Sequence, residues 1–165
     1  MKIICADGHV KDVKAFVEKA FAMLDSAGVS GQILDRRTII DRKHLELAYR
    51  QASRRFRSDS KMSRTLATEF MLYLAGTHQI GVAKSRVGVG ADTDGLMFVL
   101  LEGPEFDLGP LFSEFGLKEC GESYAKDVPA LLKRLGVPET LADGKDVEKA
   151  RSAVYEHVAM VNVAK

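Results

Sequence analysis

An apolar helix that turns a corner at a single glycine sets most of what this chain can become. Within residues 63–95, Leu66, Phe70 and Leu74 recur at helical spacing, with Ala67 and Met71 beside them, which defines a buried helical face. Gly76 ends that helix, because glycine takes the left-handed conformation after a helix without a steric penalty. Thr77 offers its hydroxyl as a cap, and Ile80, Ala83 and Val87 repeat in a second helix that begins at His78 or Gln79. The chain must change direction abruptly at Gly76 and Thr77. The first N–H groups of the second helix have no acceptor within it, so a phosphate or another anion can sit there. His78, Lys84, Arg86 and, one turn into the first helix, Arg64 are the nearby polar and basic side chains.

The rest of the chain reads in order. Residues 2–6 form a strand, 7–9 a turn and 10–26 an amphipathic helix that buries Val13, Phe16, Val17, Ala20 and Leu24. A short strand follows at 32–34, and 36–40 is either its continuation or a loop. Asp41 caps a helix over 42–57 with Leu45, Ala48, Tyr49, Ala52 and Phe56 inward. After the corner, the glycine-rich link 87–95 ends in a turn at Asp94 and Gly95. Residues 96–102 show no alternation and read as a strand buried on both faces, the centre of a sheet. A short helix within 107–115 stops at Gly116. A strand at 117–120, a helix over 128–135 and a last helix over 146–163 complete the chain. This order gives an α+β fold, a small mixed sheet surrounded by several helices, with 1–165 as a single domain. The last helix carries apolar residues on more sides than a core face needs. It either runs through the middle of the fold or docks on a partner.

Composition adds exclusions. A hydrophobic share of 46% suffices for a core, and no apolar run reaches the roughly 18 residues that a membrane helix needs. The opening strand is too short for the apolar region of a signal peptide, so a soluble, cytoplasmic protein is expected. Cys5 and Cys120 make no disulfide framework and no metal-ligand spacing, and read as reduced thiols packed in or near strands. Net charge is only +1, but residues 36–64 hold ten basic and three acidic side chains, a local excess of +7 that leaves −6 for the remainder. Arg50, Arg54 and Arg57 form a row within that segment. The row is either a solvated face paired with acids elsewhere or a contact to phosphates.

No catalytic constellation assembles. Gly88-x-Gly90 follows a helix and precedes a strand, the reverse of a dinucleotide fingerprint. His9, His44, His78 and His157 fall in separate elements. Glu69, inside the most apolar helix, is either a buried base or the partner of a basic residue such as Arg64, Arg50 or Lys84. The chain is read as a non-enzyme without cofactor or metal. An enzyme using Glu69 or His78 on a small ligand is one competing reading. A helix-turn-helix DNA binder built on 42–57 and 63–75 is another, against which the apolar character of 63–75 argues.

Leu34-Asp35, His44-Leu45, residues 48–52, the run from Glu69 to Ile80, Ala83, Gly88 and the stretch from Tyr155 to Val161 together resemble the small non-catalytic subunit of the KEOPS (EKC) complex, the Cgi/TPRKB family. The Gly-x-x-Gln-Ile element after a Glu-bearing apolar helix is the most specific part, and the overall composition resembles archaeal members. The resemblance implies an α+β fold, binding to the complex's kinase/ATPase subunit, and binding to the 3′ CCA end of tRNA. It implies a supporting role in threonylcarbamoyladenosine formation, with the chemistry on another subunit. Against the Ser-Gly-x-Arg-Gln-Ile expected of members, Ala75 replaces the serine and His78 the arginine. Lys43, Arg64 and Lys84 are the basic residues that compensate, with Arg50 beside them. On this resemblance His78, Gln79 and Tyr73 are expected to supply stacking and hydrogen bonds to bases, with Thr77 at the corner among the expected RNA-binding residues. On the last helix, Val158, Met160 and Val161 are expected to meet the kinase. A protein-interaction adaptor that binds no RNA is the runner-up.

Overall fold

The unbroken apolar run becomes an internal strand buried on both faces. The computed structural model describes residues 1–163. They divide into two compact units, the first formed by Met1–Arg36 with Gly88–Ser123, the second by Arg37–Val87 with the chain from Tyr124 onward. In the first unit, β1 (Lys2–Asp7), β2 (Ser30–Asp35), β3 (Gly95–Glu102) and β4 (Lys118–Cys120) stand in the order β2-β3-β1-β4. Every neighbouring pair is antiparallel. The sheet is therefore purely antiparallel rather than mixed. The helix between β1 and β2 leaves a gap of one strand, and β3 fills it running opposite to both.

Helix α1 (Val13–Ser26) starts three residues later than the periodicity suggested. Asp12 is the reason: its carboxylate accepts the Ala15 N–H at 3.0 Å and sets the first turn. Val10 is buried all the same, outside the helix. Phe16, Ala20 and Leu24 of α1 join Ile4, Ala6, Leu96, Phe98 and Leu100 of the sheet in one core, with Leu111 and Phe112 of α5 (Gly109–Phe115). Phe16 meets Phe98 and Phe115 edge-on at 6.2 and 5.0 Å, and Phe98 meets Phe112 at 5.4 Å. Such pairs add about 0.5–1.5 kcal/mol each beyond area burial. Met97, Val99 and Leu101, on the alternate side of β3, are buried as well. The glycine-rich link turns at Gly90–Thr93 and not at Asp94–Gly95. Thr93 Oγ accepts the Gly90 N–H and donates to the buried Asp35 carboxylate, both at 2.9 Å.

The second unit is helical: α2 (Arg42–Phe56), α3 (Leu66–Ala75), α4 (Ile80–Val87), α6 (Val128–Leu135) and α7 (Val147–Met160). Asp41 caps α2, accepting the His44 N–H at 2.9 Å. Thr65, two residues beyond the expected Ser63, caps α3 through the Thr68 N–H at 3.1 Å. Helix α6 stops at Gly136, which takes the left-handed conformation, and Asp146 caps α7. Helix α7 ends three residues early because the backbone tightens there: the N–H groups of Val161, Asn162 and Val163 bond to the carbonyls three residues back, while the Asn162 side chain bonds the Tyr73 hydroxyl and Gln51. Helices α2 and α3 are antiparallel, with His44 in the first turn of one beside Leu74 in the last turn of the other. No described helix is long and apolar enough to cross a membrane.

Candidate functional site

The corner forms at Gly76 and Thr77, and the second unit is arranged around it. Helix α4 begins at Ile80, later than the expected His78 or Gln79, with the Gln79 N–H bonded back to the Thr77 hydroxyl and Gln79 O accepting the first helical bond. Gly76 lies at φ 67°, ψ 39°, and its N–H and that of Thr77 close onto the carbonyls of the last turn of α3. Two further carbonyls of that turn are satisfied from outside the helix. His44 Nε2–H donates to Leu74 O at 3.0 Å, and Arg86 Nη1 donates to Ala75 O at 2.9 Å. His157, from α7, donates to Leu135 O at the end of α6, at 3.0 Å, with its ring lying over Gly76. A cation and two imidazoles thus occupy the partly negative ends of two helices. Arg86 is therefore a structural residue here. It fills the space where a Cβ on Gly136 would stand, 2.5 Å from the guanidinium.

Burial holds both rings neutral. The pKa of His44 is pushed down to about 4 from 6.5, chiefly by desolvation, and His157 is lowered by burial and then by the charge of Arg86. The unfolded chain protonates His44 near pH 6.5, whereas the folded chain resists until about 4. Stability present above that upper value must fall as pH drops through the window, by roughly 3 kcal/mol for His44 alone. Urea unfolding between pH 4 and 6.5 checks this. The variant His44→Gln keeps an N–H for Leu74 O but cannot titrate, and its stability is expected to decline less steeply than that of the wild type. Parallel declines would rule His44 out as the source.

On the outside of the corner, His78, Gln79, Ile80, Gly81 and Lys84 are exposed. Thr77 Oγ1 accepts the Gln79 N–H at 3.2 Å, and the first bond within α4 runs from Ala83 N–H to Gln79 O at 2.9 Å. The N–H groups of Ile80, Gly81 and Val82 precede that bond and have no acceptor in the helix. Nothing lies within 4 Å of where a Cβ on Gly81 would be, so the approach to this first turn is open. The His78 ring is tethered rather than loose, its Nε2–H donating to Val161 O at 2.7 Å.

The structure gathers some of the expected residues and scatters others. Thr77, His78, Gln79 and Lys84 share the corner. Lys43 is in the first turn of α2, its ammonium 4.8 Å from the centroid of the Tyr155 ring. Arg50 is exposed halfway along α2, and Arg64 is exposed just before α3, at the end opposite the corner. Ten residues of helix separate Arg64 from Gly76, about 15 Å along the axis. Tyr73 is a correction: it is fully buried, and its hydroxyl donates to Asn162 Oδ1 at 2.6 Å, so it offers no face to a base. Val158 and Val161 are corrected likewise. They are 1% and 2% exposed and pack inward, whereas Met160 is 49% exposed and Val163 68%.

Sequence reasoning missed the group around Asp41. The Tyr155 hydroxyl donates to Asp41 Oδ2, and Arg151 Nε lies 3.3 Å from the same oxygen. Burial and then the Asp41 carboxylate hold the phenol protonated far above its ordinary range. The only signal in the sequence was the acidic cap of α2, since its partners lie more than a hundred residues away. The basic segment is also partly consumed. Arg36 meets Asp7 at 2.8 Å, Arg42 meets Glu46 at 3.1 Å, and Arg55 donates to Ser60 O at 2.7 Å. Glu69 is buried, but its partners are the Met62 N–H, the Ser63 hydroxyl and Arg55 rather than Arg64, Arg50 or Lys84. Eight of the ten residues of α3 are buried, so it has no face to lay in a DNA groove. Among the described residues, no group of three or more His, Cys, Asp or Glu side chains could hold a metal ion.

These features define an α+β protein whose helical unit presents a polar helix corner beside an apolar helix end. The chain belongs to the family of kinase binding protein CGI-121, whose family model matches residues 9–158. No curated protein matches the chain.

Proposed function

We propose that this chain is a non-catalytic subunit of a KEOPS-type complex that binds the kinase/ATPase subunit and holds the 3′ CCA end of tRNA. Another subunit then forms threonylcarbamoyladenosine elsewhere on the same tRNA. Membership of a kinase-binding family supports the first half. The open first turn of α4 carries the second, with three N–H groups free of helical acceptors beside His78, Gln79 and Lys84. A single-stranded tail offers phosphates to such a helix start and unstacked bases to side chains around it. Tyr155, under Lys43, takes over from the buried Tyr73 as the aromatic available to a base. Two linked contacts raise the effective concentration of substrate, so a modest tail affinity suffices. The kinase meets the end of α7, where Met160 and Val163 are exposed. Met160→Glu should abolish that pairing and leave the subunit folded.

The deciding measurement is binding of the purified protein to intact tRNA and to the same tRNA without its terminal CCA, at low and high salt. Affinity is expected to fall at least about tenfold without the tail, worth 1.4 kcal/mol or more. The salt dependence should be shallow, because few phosphates are contacted. Equal binding to both would reduce the RNA contact to unspecific charge. Binding to neither, with the kinase still bound, would make the chain a protein-interaction adaptor.

A further inference from the structure

The two cysteines of this chain, far apart in sequence, face each other across the sheet. Cys5 of β1 and Cys120 of β4 are direct partners in the antiparallel register. Opposed residues in such a pair point to the same face of the sheet. Their Cα atoms stand about 4.5 or 5.5 Å apart, depending on which of the two alternating pair types they occupy. Both spacings lie inside the roughly 4.4–6.8 Å that a disulfide bridges without moving the backbone. Strand β4 is at the edge of the sheet and only three residues long, so it can adjust to the link.

The surroundings favour one order of reaction. Cys5 is buried and Cys120 is partly exposed, so only Cys120 can be reached first. Arg36 lies along the sheet with Nη1 donating to Cys120 Sγ at 3.2 Å and Nη2 2.8 Å from Asp7 Oδ1. Gly95 makes that pose possible, because a Cβ there would stand 2.5 Å from the guanidinium. The guanidinium fixes the position of the Cys120 sulfur and stabilises negative charge on it. Both cysteines are free thiols. Burial raises both above their ordinary range, with the Asp7 carboxylate adding to the rise at Cys120 and Arg36 offsetting part of it, so both rest protonated and exchange proceeds through the small thiolate fraction.

We infer that Cys120 and Cys5 form a thiol–disulfide exchange site that takes small-molecule disulfides such as oxidised glutathione. This inference is independent of the function proposed above. The Cys120 thiolate attacks one sulfur of the small disulfide. That S–S bond breaks, a mixed disulfide forms on Cys120, and one small thiol leaves with the bonding pair and takes up a proton. The Cys5 thiolate then attacks Cys120 Sγ, forming the cross-strand bond and releasing the second small thiol, which takes up the second proton. Two protein thiols are oxidised and one small disulfide is reduced to two thiols.

The test treats the folded full chain with oxidised glutathione and follows free thiols, intact mass and peptide linkage, alongside Cys5→Ser and Cys120→Ser. The wild type should lose both thiols, retain no glutathione and yield a linked Cys5–Cys120 peptide. Dithiothreitol should return both thiols, and the linked form should melt several degrees higher, because the bond closes a long loop. Cys5→Ser should hold one glutathione on Cys120, and Cys120→Ser should hold none. A stable glutathione adduct on wild-type Cys120 with Cys5 still free would overturn the site. So would retention of both thiols by the folded chain under conditions that oxidise the unfolded one.

Discussion

Gly76→Ala should destabilise the protein by about 4 kcal/mol and lower its Tm by roughly 10 °C or more. Two effects combine. At φ 67° an alanine carries the left-handed penalty, about 1–2 kcal/mol. Its Cβ would also enter the space of the His157 ring, closest to Cδ2 and Nε2 and still only 2.9 Å from Cγ. The ring must leave, which breaks its bond to Leu135 O and unpacks the junction of α3, α6 and α7. A double-mutant cycle separates the effects. In a His157→Ala background the clash is gone, and alanine at 76 should cost only the backbone penalty. Equal costs in both backgrounds would show that the ring does not occupy the glycine's place. Glycine is thus required twice at the corner, once for its backbone and once for a neighbour eighty-one positions away.

Only the first requirement could be read from the sequence, and the same division runs through the whole chain. Caps and stops are local chemistry. Asp41, Gly76, Gly116, Gly136 and Asp146 end or begin helices where the residue types say they must. The buried strand at Gly95–Glu102 was legible because an apolar run without alternation has few other homes. Strand order was not legible, since periodicity says nothing of which strand fills the gap between β1 and β2. The site divides in the same way. His78, Gln79 and Lys84 were placed by the corner itself. Tyr73 was misread because a tyrosine on an apolar helix presents its hydroxyl wherever a partner exists, and that partner, Asn162, lies beyond α7. Arg64 was grouped with the corner although a helix of ten residues carries its two ends far apart. Val158 lies on the inner side of α7 and Val161 is buried just past its end, and only the tertiary packing separates them from the exposed Met160.

Glu69→Leu should cost about 3 kcal/mol and release the loop between α2 and α3. The Glu69 carboxylate is fully buried and accepts only from donors. The Met62 N–H reaches Oε1 at 3.1 Å and Oε2 at 3.0 Å, the Ser63 hydroxyl reaches Oε2 at 2.7 Å, and Arg55 Nε stands 4.0 Å from Oε1. Hydrogen bonds to a charged acceptor contribute about 1.5–3 kcal/mol each, and burial of a leucine side chain offsets part of their loss. Arg55 is partly exposed and bonded to Ser60 O, so water can take over its charge and the cost stays below that of a stranded buried ion. Glutamine is not a silent replacement, because its single acceptor cannot serve donors on both oxygens and its amide would face one of them. Glu69→Gln should therefore fall between the wild type and leucine. Amide exchange distinguishes this anchoring role from a general loss of stability. The Met62 N–H should exchange much faster in Glu69→Leu while the amides in the middle of α2 slow or speed only with global stability. Unchanged protection at Met62 would mean that the loop is held by something other than this carboxylate.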